Sequence, residues 1–117
     1  MTLPLTPHIL AGCYDFLRTT PPYCRWKLPE PDEVAFVVSR NRAKLGTHQG
    51  GVINTITVSE ANAAHTCTLV WIMGHEMIHL AQFLGGHETP NTIHNADFRR
   101  KAQAACRYHG WDIGLFL

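Results

Sequence analysis

Two histidines and a glutamate in the stretch Gly74-His75-Glu76-Met77-Ile78-His79 are spaced for metal chemistry. On a helix, His75 and His79 are four positions apart, so both imidazoles leave the same face one turn apart and can close on a single ion. Glu76 sits one position round, within reach of a water on that ion, and can take its proton as the water attacks a carbonyl. This is the HExxH pattern. A helix that merely happens to hold two histidines and a surface glutamate would read the same way. Composition makes that accident rare: eight His and five Glu in 117 residues give roughly 0.02 chance matches. The motif also lies inside an apolar stretch, residues 69–84, that stops at Gly85-Gly86.

A catalytic zinc site takes three protein ligands and leaves one position for water, so HExxH is incomplete by itself. The metzincin extension is excluded, because it needs glycine at position 82 and histidine at position 85, where this chain has Gln82 and Gly85. The remaining candidates are His87, Glu88, His94 and Asp97. His87 and Glu88 follow the helix end closely and require a sharp fold back. His94 has a longer loop for its return and stands at the head of a helix that can hold it.

The elements that must position these groups can be read on either side of them. Thr6 as cap, Pro7 at the first helical position and Ile9, Leu10, Cys13, Phe16 and Leu17 at helical spacing predict a packing helix over residues 7–18. Pro21, Pro22, Pro29 and Pro31 mark a connecting loop, anchored to the core by Tyr23 and Trp26, with an aromatic substrate contact as the sharper alternative. Residues 34–39, 44–48 and 52–58 read as three strands, the last two joined at Gln49-Gly50-Gly51, forming a small, mainly antiparallel sheet. A helix beginning at Ser59 or Asn62 and running to Leu84 carries the metal ligands, with Gly85 or Gly86 as a left-handed cap. Asn95 caps a last helix reaching Tyr108. The apolar tail, residues 110–117, packs back on the domain. Trp71 reads as core, with a substrate platform as the sharper alternative, and Gly74 as a point of close approach for a neighbouring strand or as a helix glycine tolerated at a cost of about 1 kcal/mol.

Length and composition set the frame. At 117 residues, 45% hydrophobic and 16% charged, the chain reads as one globular domain over residues 1–117. It has no run long enough to span a membrane and no charged start with an apolar core at residues 1–7, so a cytoplasmic location is the default. Cys13, Cys24, Cys67 and Cys106 form no CxxC pair and read as unbridged. A formal net charge of +1 argues against bulk electrostatic binding to nucleic acid. Two local clusters, Arg40 with Arg42 and Lys44, and Arg99 with Arg100 and Lys101, are solvated faces or, on the sharper reading, DNA contacts.

Strand residues 52–58, then HEMIH at 75–79, then HNADF at 94–98, together resemble the SprT-like zinc metallopeptidases, a Spartan-related family. Their HExxH is followed after a variable loop by a block of the form HGPEF at the head of a helix. The resemblance covers roughly residues 30–110, with Asn95-Ala96-Asp97 standing where the family has Gly-Pro-Glu and no cysteine-rich zinc ribbon after the last helix. It implies an α+β, zincin-like fold with an N-terminal helix, a HExxH helix and a C-terminal helix. It also implies Zn2+ as cofactor, His75, His79 and His94 as ligands, Glu76 as catalytic base, and peptide-bond hydrolysis, with DNA-associated proteins as a substrate class. In many zincins the substrate lies along an edge strand, here residues 52–58 or their neighbour. His87, Tyr108, His109 and Arg99 are candidates to stabilise the oxyanion. Asp97 orients a ligand histidine or is simply a first-turn helix acid. His8, His48, His65 and His109 otherwise read as surface or structural. Two rival functions are a catalytically silent, zinc-stabilised binding module and a zinc hydrolase of a cell-wall peptide or small amide.

Overall fold

The computed structural model describes residues 5–61 and 66–117, with side chains from residue 68 onward in the second segment. Helix α1 spans Pro7–Arg18, with the Thr6 side chain accepting from the Ile9 N–H and Pro7 in the first turn, the cap the sequence predicts. Strands β1 (Val34–Ser39), β2 (Gly46–Gln49) and β3 (Asn54–Ser59) follow. Helix α2 covers Thr66–Gly85, α3 covers Ala96–His109, and a single turn, α4, covers Ile113–Phe116. Among the described residues, four α-helices and a three-stranded sheet make this an α+β fold.

The sheet is mixed rather than mainly antiparallel. Its order is β1-β3-β2; β3 lies parallel to β1, with Val34 opposite Asn54, and antiparallel to β2, with His48 opposite Ile56. The segment between β1 and β2 carries the chain one strand further across, leaving a slot that the returning β3 fills. Ser59 closes this arrangement: its N–H donates to the Leu45 carbonyl and its hydroxyl to the Asn41 carbonyl. The strand residues 52–58 thus correspond to the central strand, and β2 is its neighbour at the edge. Residues 52 and 53 belong to the turn, where Val52 is fully exposed.

Alternation places Ile56 and Val58 of β3, both fully buried, against the helices. Leu10, Tyr14 and Leu17 of α1 and Met73, Met77, Ile78 and Leu80 of α2 complete the core. Tyr23 is fully buried and its hydroxyl donates to the Gly74 carbonyl at 3.0 Å. Gly74 is therefore a point of close approach, but for Tyr23 and Trp111 rather than a strand: a Cβ there would lie 2.5 Å from the Tyr23 hydroxyl and 3.0 Å from the Trp111 ring. Trp26 packs edge-on against Tyr23.

The helix ends are set by local chemistry. Gly86, at φ 72°, turns the chain out of α2. Asn95 caps α3 by accepting from the Phe98 N–H at 2.9 Å, and Gly110 ends it in the left-handed conformation. Ser59 lies in β3, not in a helix, while an α2 start at Asn62 and the placement of His65 fall outside the described residues. Cys13, Cys24 and Cys106 are free thiols; burial pushes that of Cys13 up to about 12. Among the described residues no helix is long and apolar enough to cross a membrane.

Candidate metal centre

Helix α2 presents His75 and His79 from one face, ring centroids 5.0 Å apart. His94, in the loop just before the Asn95 cap, returns to them at 4.9 Å from His75 and 5.3 Å from His79. One ligand atom from each of the three lies within 4.8 Å of the others, and all three side chains are half-buried. His87, Glu88 and Asp97, the other candidates for third ligand, are not in this group.

Three different contacts hold the imidazoles. His75 Nδ1 lies 2.8 Å from the Phe116 carbonyl oxygen. A carbonyl only accepts, so Nδ1 carries the proton and the lone pair of a neutral His75 is on Nε2, free for a metal. Phe98 is fully buried and touches every ring: it stacks on His94 at 4.4 Å and contacts His79 at 4.6 Å and His75 at 5.0 Å. Gln82, 1% exposed, braces the loop by donating from its amide to Asn95 Oδ1 at 2.8 Å and Asp97 Oδ2 at 3.1 Å. The Asn95 amide in turn donates to the His87 carbonyl, and Arg99 Nε donates to the His94 carbonyl.

Burial keeps these histidines neutral. It lowers His75, with a partly opposing backbone hydrogen bond and a further lowering from His94. His79 is pushed down to about 3 by burial, then by His75, His94 and His48. His94 is lowered by burial and by Arg99. Neutral imidazole is the form that binds metal. Three nitrogen donors at the edge of a cleft, with no fourth protein ligand among the described residues, make a set that can hold an ion and leave a position open.

Glu76 is 5% exposed, and burial pushes its carboxyl up to about 8. Gly46, at the start of β2, makes room for it: a Cβ there would meet Glu76 Oε2 at 3.2 Å, Ile72 Cγ2 at 3.0 Å and the Thr57 carbonyl at 2.9 Å. Two cavities meet at His75, Glu76 and His94. One, about 230 Å³, lies on the α4 side and reaches Trp71, Ile72 and Leu115; the other, about 380 Å³, runs past Thr47 and His48 towards Glu88 and Ile93. The edge strand β2 borders this cleft.

Several residues stand elsewhere than their sequence reading placed them. The Asp97 carboxylate accepts from Lys101, Arg100 and Gln82 and contacts no ligand ring; burial raises its pKa, but these hydrogen bonds and the Lys101 charge outweigh it and hold it low. It is a loop and helix brace. His87 is exposed and lines a separate cavity with Trp26 and Lys27, and Tyr108 is 58% exposed against His109. Neither borders the cleft at the three histidines. His109 stacks on Trp111 and bonds to Thr20. Of the basic clusters, Arg40 pairs with Glu60, Arg100 and Lys101 pair with Asp97, and Lys44 borders both cavities.

Other residues at the cleft read mainly as structural in the sequence. His48 borders the second cavity and bonds to Asn54 at 3.2 Å, where a structural reading had sufficed. Trp71 is half-buried, packed against the core as its sequence reading has it, and also walls the first cavity. Both positions depend on how β2 and α4 pack across α2. No model of a known family matches the chain, and no curated protein matches it.

Proposed function

We propose that this chain is a zinc-dependent metallopeptidase of zincin-like build, related to the SprT-like family. One observation carries the reading: three neutral histidines with ligand atoms within 4.8 Å, beside a glutamate buried at the junction of two cavities. Three imidazole donors and an open position suit zinc among the common metals. A zinc ion held there supplies a Lewis acid for a carbonyl, a lowered pKa for water and a positive charge that favours the ionised form of Glu76.

The chain's own groups then have defined tasks. Glu76 takes the proton from the attacking water and returns it to the leaving amine. Gly46 keeps space for that carboxylate, while Phe98 and the Phe116 carbonyl hold the ligand rings in place. The free edge of β2 offers backbone donors and acceptors to an extended peptide chain. Burying a carboxyl costs stability that a purely structural metal site need not incur, which favours an enzyme over a silent binding module.

Incubating the zinc-loaded protein with an unfolded protein substrate tests this. Cleavage that stops with chelator and resumes on zinc addition is expected, and cleavage indifferent to chelator would contradict it. Running the assay with and without single-stranded DNA separates a general peptidase from one acting on DNA-associated proteins: only the latter is accelerated by DNA.

A further inference from the structure

The geometry points to a specificity pocket beside the metal centre: the cavity between α4 and α2 takes a bulky apolar side chain from a residue flanking the scissile bond. This rests on the metallopeptidase reading and adds a substrate class to it. Leu45, Trp71, Ile72, Leu115, Phe116 and Leu117 wall the cavity, which also touches Lys44 and the site residues His75, Glu76 and His94. Its volume of about 230 Å³ exceeds that of an apolar cavity of roughly 150 Å³ able to take benzene. A leucine, methionine or phenylalanine side chain therefore fits.

Three observations favour that occupant. The walls come from separate parts of the chain, the segment before β2, the middle of α2 and the α4 turn, and all contribute apolar groups. Leu45 is 49% and Leu115 65% exposed, so an apolar side chain entering between them removes their surface as well as its own from water. The cavity on the other side of the same three residues is lined by Thr47, His48 and Glu88 as well as Ile93, and Lys44 borders both cavities. A peptide crossing the centre thus meets a mainly apolar wall on one side of its reacting bond and a more mixed lining, richer in polar groups, on the other. The preference is confined to one flanking position.

The test uses the zinc-loaded full chain in two ways. Peptides varied at the residues flanking the bond, with cut sites mapped by mass spectrometry, are expected to be cleaved about tenfold or more faster with leucine, methionine or phenylalanine than with alanine at one position. By calorimetry, 4-methylpentanohydroxamate is expected to bind about tenfold or more tightly than acetohydroxamate, a comparison that needs the metal but no turnover. In the double variant Leu45→Ser, Leu115→Ser, at two positions largely open to water, both ratios should fall towards one. Glu76-dependent cleavage without side-chain preference would overturn the pocket and leave the peptidase standing. Retained hydroxamate discrimination without cleavage would support the pocket while removing the peptidase. Equal hydroxamate affinities in the parent overturn the pocket whatever the turnover, and a chain that takes up no zinc overturns both.

Discussion

Glu76 holds its carboxyl in a buried environment that is costly to maintain. In the metal-free protein the folded chain keeps its proton up to about pH 8, whereas the unfolded chain releases it near 4.5. Between those values the folded state binds more protons, so Glu76 makes stability fall as pH rises through the window. His79, pushed down to about 3, acts in the opposite sense, and its contribution is lost as pH falls below 6.5. Glu76→Gln should therefore gain stability over the parent across pH 4.5 to 8, reaching a few kcal/mol, as measured by chemical denaturation in chelator. A constant difference across that range would show that the carboxyl is not desolvated. The grouping of His75, Glu76 and His79 was legible because helical spacing alone brings them together. His94 was favoured by its loop length and its place at a helix head. Phe98 stood out only as the aromatic of the block at 94–98, not as a group touching all three rings, and Gln82, holding the loop, carried no signal, since their contacts exist only once α2 and α3 have packed.

The elements show why some boundaries could be read and others slipped. α1 and α3 follow their capping residues, Thr6 with Pro7 and Asn95 with Gly110, because a cap is a local interaction. β1 falls where the sequence places it, β2 and β3 are shifted by up to two residues, and the parallel pairing of β1 with β3 was not legible, because the order β1-β3-β2 depends on where a connection crosses the sheet. Gly46 looks like an ordinary turn glycine in the sequence, yet it sets the distance between β2 and α2. Gly46→Ala should displace the strand or the Glu76 carboxylate, lowering kcat at least about tenfold while zinc stoichiometry stays unchanged; metal analysis and steady-state kinetics decide this. The α4 turn, not foreseen as a helix, supplies the carbonyl that orients His75. Ending the chain after Trp111 should weaken zinc binding by roughly 10–100-fold, read by competition with a chromophoric chelator. An unchanged affinity would mean that α2 alone orients the ring.

At the scale of the whole molecule, the candidate metal centre lies where parts of the chain distant in sequence pack into one core. His75 and His79 belong to α2, His94 to the loop before α3, and the orienting carbonyl to α4. A ligand that binds only this assembled arrangement stabilises the fold by mass action. Zinc at a hundredfold excess over its dissociation constant should add about 2.7 kcal/mol and raise Tm by on the order of 10 °C, with chelator reversing the shift. The α+β class was legible from helix caps, apolar spacing and β-branched runs, and the radius of gyration, 13.1 Å, is close to that expected of a compact chain of this length. The cleft itself was not legible, because it lies between β2, α2 and α4 and no local pattern records their packing. The most direct test of the whole reading is to measure bound zinc and cleavage of an unfolded protein together in the parent, Glu76→Gln and His94→Ala. One zinc per chain in the parent and in Glu76→Gln, weakened zinc in His94→Ala, and cleavage by the parent alone is the predicted result. Parent-level cleavage by Glu76→Gln, or unchanged zinc affinity in His94→Ala, would contradict it.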